Sequence, residues 1–263
     1  MKEIRSDRSC RAVQSIFLVS NMGCSEKIDG VRYSKAINNS NGILEQLKSM
    51  IQKTQKMLFF VSDPKIFDKN DNYADLTFKS FRKSGLIFNE EKLIDGRSQG
   101  NLAYEIKTAD LIFLSGGKTA IQMNFFEDIG LKEMLKDYQG IIIGQSAGAM
   151  NLANEVVCFP EDEEEIGQNH TWAGLAKTKI NIVPHFILNI IDELDIQLRN
   201  ELLKISTNRT LYAICDGSHI FIDDTSAKIY GETYLLENSN ITKINDNGIY
   251  TLKSFTLPKT NIY

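Results

Sequence analysis

Residues 141–152 read Ile141-Ile142-Ile143-Gly144-Gln145-Ser146-Ala147-Gly148-Ala149-Met150-Asn151-Leu152. Three β-branched residues in succession favour a strand buried on both faces. The small residues that follow lead into a helix start. Between the two stands G-x-S-x-G, so the segment predicts a strand, a sharp turn and a helix, with Ser146 at the turn. Such a turn lifts a serine oxygen above the end of a sheet. Gly144 and Gly148 leave the backbone room for it, Ala147 and Ala149 keep bulk away, and the helix N-terminus directs amides toward an oxyanion. One stretch therefore predicts both an α/β fold and a nucleophilic serine.

The flanking sequence agrees with that fold. Apolar runs at Ser15–Val19, Met57–Val61, Leu111–Leu114 and Gly140–Ile143 alternate with helix-like segments at Gly42–Thr54, Ala74–Ser84, Asn101–Thr108 and Thr119–Lys136. This alternation predicts a mostly parallel central sheet covered by helices on both faces, a three-layer α/β sandwich. Further on, Lys179–Val183, Leu211–Ile214 and Ile220–Ile222 predict strands. Ile187–Ile205 predicts a helix with Ile190, Leu194, Leu198 and Leu202 along one face. From residue 224 the pattern becomes short β segments with turn signals at Gly231, Asn238–Asn240 and Asp246-Asn247-Gly248, the last a hairpin signal. No Pro/Gly/Ser linker intervenes, so a single domain is expected over 1–263, with its core at about 13–223 and a C-terminal β extension at about 224–263.

Composition narrows the chemistry. The 263 residues carry 34 acidic and 30 basic side chains, a formal net charge of −4, with no clustered Lys/Arg run, which argues against nucleic acid as a partner. The apolar stretch at Val13–Val19 is too short and too polar for a secretory leader or a membrane span, so a cytoplasmic protein is expected. Cys10, Cys24, Cys158 and Cys215 form no C-x-x-C pair or metal-ligand spacing, and read as free thiols. No cofactor or metal is expected. Gly116-Gly117-Lys118-Thr119 lacks the first glycine of a P-loop, because position 112 is Ile. The acidic block Glu161–Glu165 reads as an exposed loop without assigned role.

A nucleophilic serine needs a base, and only three histidines exist: His170, His185 and His219. His185, in Asn181-Ile182-Val183-Pro184-His185-Phe186, ends an apolar run and precedes a helix, which places it in the loop layer at the sheet edge. His219 lies in the run Ser218-His219-Ile220-Phe221, where alternation packs it on a strand face, and His170 lies in an acidic loop. Both stay open as rivals to His185. Asp216, after the strand Ala213-Ile214-Cys215 and before Gly217, is the best-placed acid, with a turn aspartate bonded to its own backbone as the alternative. The turn after Leu111–Leu114, Ser115-Gly116-Gly117, can bring the Gly117 amide to a developing oxyanion, with the Ala147 amide as second donor.

These residues resemble the dipeptidase E and cyanophycinase group of serine peptidases, whose fold is similar to class I glutamine amidotransferases. The match rests on Gly144 to Ala149, the upstream Leu114-Ser115-Gly116-Gly117, the Pro184-His185-Phe186 step and Asp216-Gly217. It spans about Val13 to Ile222. The resemblance implies a Ser146, His185, Asp216 triad, an oxyanion hole from Gly117 and Ala147, and short peptides as substrate for a monomer or homodimer. There are three departures. Lys118 stands where members commonly have Asn or Asp, and Asp216 where Glu is frequent. The segment after the histidine reads Asp192-Glu193-Leu194-Asp195, with Arg199 the only arginine before Arg209, so a preference for N-terminal aspartate does not carry over. Lys118 and Arg199 are left as candidate substrate contacts, and Asp192, Glu193 or Asp195 as groups that would attract a substrate amino terminus. Two rival functions share the serine motif: an α/β-hydrolase esterase, which places its histidine after the acid, and a non-catalytic module that binds a small ligand at the same site.

Overall fold

The structure is a computed structural model that describes residues 14–51, 56–159, 170–188 and 193–252. The first strands are β1 (Ser15–Val19), β2 (Ser25–Ile28) and β3 (Val31–Ser34). Next come α1 (Ile43–Met50), β4 (Lys56–Phe60), α2 (Phe67–Lys83), β5 (Glu90–Ile94), α3 (Leu102–Thr108) and β6 (Leu111–Leu114). They are followed by α4 (Thr119–Asp128), α5 (Leu131–Met134), β7 (Ile141–Gln145) and α6 (Ala147–Asn151). Then follow β8 (Glu155–Cys158), β9 (His170–Ala173), β10 (Asn181–Val183), α7 (Glu193–Ile205), β11 (Leu211–Ile214) and β12 (His219–Ile222). The chain continues through β13 (Ala227–Tyr230), β14 (Thr233–Glu237), β15 (Asn240–Asn245) and β16 (Ile249–Thr251).

Eight strands form the central sheet in the order β16-β13-β12-β1-β7-β6-β4-β5. The run from β1 to β5 is parallel, while β12, β13 and β16 extend it antiparallel. Every residue of β4, β6 and β7 is buried. Because successive side chains point to opposite faces, both faces of the sheet are covered, which makes the three layers. Phe59 stacks on Phe113 at 5.3 Å between ring centroids, and Phe81 meets Phe113 edge-on. Aromatic contacts of this kind hold α2 onto the sheet.

A second sheet, β10-β11-β14-β15, has its own small core, in which Val183, Phe186, Leu202, Leu211, Tyr234 and Leu236 pack together. Here the structure departs from the expectation that β10 and β11 end at the edge of the central sheet. They are parallel neighbours in the second sheet, with Val183 opposite Ala213. The chain crosses from β11 into β12 through Cys215–Ser218, and Gly217 at φ +86° makes that corner.

Residues 227–251 are woven into both sheets: β13 and β16 into the central one, β14 and β15 into the second. The Asp246-Asn247-Gly248 turn therefore closes no hairpin, because β16 pairs with β13 and the turn carries the chain between sheets. The hairpin is the one joining β14 to β15, where Asn238 and Ser239 both have positive φ (51° and 59°), as a two-residue type I′ turn requires. A second such hairpin, β2–β3, turns at Asp29-Gly30. Among the described residues, Cys24 and Cys215 are free thiols, and no helix is long and apolar enough to cross a membrane.

Candidate active site

Ser146 sits between β7 and α6 with φ 52° and ψ −115°, a backbone conformation that costs a non-glycine residue energy. Its neighbours enforce that turn. The Ser146 amide donates to the Val19 carbonyl at 2.8 Å. A Cβ at Gly144 would lie 2.7 Å from the Ala149 backbone, and one at Gly148 would lie 2.3 Å from the Leu114 carbonyl oxygen. Both distances are far inside van der Waals contact, so the two glycines are what let α6 fold back against β6 and β7. Gln145 braces the turn: its Oε1 accepts from the Met22 amide at 3.1 Å and its Nε2 donates to Tyr73 Oη at 2.8 Å.

The second sheet brings the other two residues. His185, two residues past β10, has φ 57°, and its Nε2 lies 3.0 Å from Ser146 Oγ. Its Nδ1 lies 2.7 Å from Asp216 Oδ1, and Asp216 stands at the corner after β11. The parallel pairing of β10 with β11 sets these two loops side by side. Asp216 is held ionised: the His185 hydrogen bond, helped by Ser20 and Asn21, brings its carboxyl down to about 2. A carboxylate only accepts, so Nδ1 carries the imidazole proton and Nε2 is free to accept the Ser146 hydroxyl. His185 and Asp216 remain roughly half exposed, so the line opens to solvent and to a ligand.

The glycine loop lies beside the serine. A Cβ on Gly116 would come 3.3 Å from Ser146 Cβ, and Gly117, at φ +146°, would place one 2.0 Å from Ser62 Oγ. Only glycine fits at 117. Among the described residues neither the Gly117 nor the Ala147 amide donates a hydrogen bond, and Ala147, as the first residue of α6, has no partner within its helix.

Ser146 and His185 open into a cleft of about 460 Å³ whose wall includes Cys24, Arg32, Lys69 and Tyr73. Burial pushes the Cys24 thiol up to about 11, so it is no rival nucleophile. Sequence reasoning missed the hairpin that supplies Arg32, although Asp29-Gly30 is a turn signal. It also missed Ser20 and Asn21, which follow β1 directly and carry no motif.

The remaining candidates lie elsewhere. His219 is fully buried, its ring stacked 4.8 Å from Tyr230 and its Nε2 3.1 Å from Gln46 Nε2. Burial lowers its pKa to about 3. The His170 side chain, Asp192, the Glu193 and Asp195 side chains and the block Glu161–Glu165 lie outside the described residues. Neither Lys118 nor Arg199 lines the cleft. Lys118 is the N-cap of α4, and Arg199 donates from mid-helix to the Leu188 carbonyl at 3.3 Å.

The sequence profile of peptidase family S51 matches residues 33–230, about three quarters of the chain. Among solved structures, a peptidase from an acI-B1 Actinobacterium is similar, with a TM-score of 0.60 and 18% identity over 91% of this chain and 97% of that one. A Listeria monocytogenes EGD-e protein solved under the name peptidase E has a TM-score of 0.55 and 17% identity, over 82% of this chain and 97% of that one. Violaxanthin de-epoxidase, chloroplastic, of Spinacia oleracea is 28% identical over 189 residues, 65% of this chain. The chain spans 39% of the length of that relative.

Proposed function

The chain belongs to peptidase family S51 and is a serine peptidase; we propose that it hydrolyses short peptides through an acyl-enzyme on Ser146. The observation that carries this reading is the continuous line from Ser146 Oγ through His185 to Asp216, with spacings of 3.0 and 2.7 Å. Ser146 Oγ attacks the peptide carbonyl carbon while His185 Nε2 takes its proton, and Asp216 stabilises the imidazolium that forms. The Gly117 and Ala147 amides meet the oxygen as it becomes an oxyanion. The tetrahedral intermediate collapses, the C–N bond breaks, and His185 returns its proton to the leaving amine. Water then attacks the ester with His185 again as base, releasing the acid and restoring Ser146.

A short substrate fits the cleft, whose volume is that of a small-molecule site rather than an extended groove. The test pairs a fluorophosphonate probe, with the labelled residue located by mass spectrometry, and hydrolysis of a dipeptide and tripeptide library. Labelling at Ser146 together with turnover that Ser146→Ala abolishes is expected. An unlabelled, inactive folded protein would refute the proposal. Turnover of p-nitrophenyl esters far above that of any peptide would make it an esterase instead.

A further inference from the structure

We propose that Ser20 is a positioning residue for this acyl transfer, acting on His185 and Asp216 together; the inference rests on the reading of Ser146 as nucleophile. Ser20 follows the last residue of β1 and is fully buried. Its Oγ lies 2.7 Å from the His185 amide nitrogen and 2.7 Å from Asp216 Oδ1. The directions of both bonds follow from chemistry. An amide N–H only donates, so Ser20 Oγ accepts there, and an ionised carboxylate only accepts, so the Ser20 hydroxyl gives its one proton to Asp216.

The result is a closed ring. Asp216 Oδ1 binds the His185 ring through Nδ1, and Ser20 ties the same oxygen to the His185 main chain. Asn21 Nδ2 takes the other carboxylate oxygen at 3.1 Å, which fixes the plane of the carboxylate. His185 needs such a hold because its φ of 57° is a conformation that a non-glycine residue leaves readily unless it is over-determined. The end of β1 also holds the nucleophile, since the Val19 carbonyl accepts the Ser146 amide at 2.8 Å. Val19, the last residue of a core strand, and Ser20, which follows it, thus place the nucleophile and its base against a common reference. Neither bond touches the substrate, so Ser20 acts on the rate and not on binding.

The test measures the rate of Ser146 labelling by a fluorophosphonate, and kcat and KM on the best dipeptide, in wild type, Ser20→Ala, Asp216→Ala and the double variant. Ser20→Ala is expected to label and turn over roughly 10- to 100-fold more slowly, the loss typical when a group that supports a site's direct partners from behind is removed. KM is expected to change by less than about twofold. In the Asp216→Ala background the same substitution is expected to cost less than about threefold, because residues acting as one unit are not additive. The downfield proton resonance of His185 Nδ1–H is expected to move or vanish in Ser20→Ala. Ser20→Cys keeps the shape of the side chain with a poor hydrogen-bonding group, and is expected to show the same loss if the alanine variant does not fold. A wild-type labelling rate in these variants overturns the role of Ser20. So does a loss that recurs in full without Asp216, or one that leaves the Nδ1–H resonance unmoved. A wild-type protein that fails to label at all refutes the nucleophile itself, which is a different outcome.

Discussion

Lowering the pH from 7 to 5 is expected to destabilise the fold through His219. This imidazole is buried on β12 of the central sheet, stacked on the ring of its cross-strand partner Tyr230 on β13, with a pKa near 3 in the folded chain against 6.5 when exposed. Below pH 6.5 the unfolded chain binds a proton that the folded chain refuses, so stability falls with pH until the folded pKa is reached. Between pH 7 and pH 5 the unfolded imidazole goes from mostly neutral to almost fully charged while the folded one stays neutral, a loss of about 2 kcal/mol. The figure depends on the exposed pKa and hardly at all on the folded one, which lies well below the whole window. Among other shifted groups, Asp216 acts below about pH 4 and Lys177, held down to about 8 by burial, only above that value, while glutamates lowered by their cations, such as Glu105 beside Lys56, begin to act at the foot of the window and do so equally in wild type and variant. The assay is urea unfolding at pH 7, 6 and 5 at constant ionic strength, on wild type and His219→Phe, whose ring fills the same slot. Any fixed cost of the substitution cancels between pH values. Wild type should lose about 2 kcal/mol more than the variant, and parallel curves would refute the account, since they would mean that His219 accepts a proton without unfolding the protein.

Further outcomes follow from substitutions at three positions of the site. Ser146→Ala should lower peptide hydrolysis by roughly 10⁴-fold or more in a steady-state assay. Ser146→Gly, equally inactive, should be the more stable of the two by about 1 kcal/mol in denaturant melts, because glycine accepts φ 52° without strain. Gly148→Ala, whose methyl would sit 2.3 Å from the Leu114 carbonyl oxygen, should lose on the order of 1–3 kcal/mol in the same melts and most of its fluorophosphonate labelling. Asp216→Asn should lower kcat by about 10⁴-fold. Because the folded Asp216 carboxyl stays ionised down to about pH 2 against 3.8 in the open chain, the stability it contributes is present above pH 3.8 and disappears as pH falls through 2. Thermal melts between pH 4 and 2 should therefore fall less steeply in Asp216→Asn than in wild type.

What was legible in the sequence is what is encoded locally. The β7–α6 turn is written in a dozen contiguous residues, and the predicted strand over Ser15–Val19 is the observed β1. The runs at β10 and β11 read as strands too, but an apolar run does not say which sheet it joins. Only the antiparallel partner β14, some twenty residues later, decides that. For the same reason Asp246–Gly248 looked like a hairpin: its turn chemistry is right, yet the strands on either side belong to different sheets. Ser20 and Asn21 carry no motif, since their significance lies in contacts to Asp216 almost two hundred residues away. Lys118 and Arg199 do not line the cleft, because a position in the sequence says nothing of where a long side chain is held.

The corner at Cys215–Ser218 has a consequence for when this chain becomes reactive. Ser146 and its loop belong to the central sheet, whereas His185 and Asp216 ride on a sheet that needs β14, which comes well after Ser146 in the sequence. A ribosome making this protein releases the strand–turn–helix segment long before the strand that locks His185 beside Asp216. The nascent chain thus exposes Ser146 before the sheet that sets His185 beside Asp216 is complete. On the proposed mechanism, a chain truncated before β14 would hold Ser146 in its turn without His185 and Asp216 set beside it.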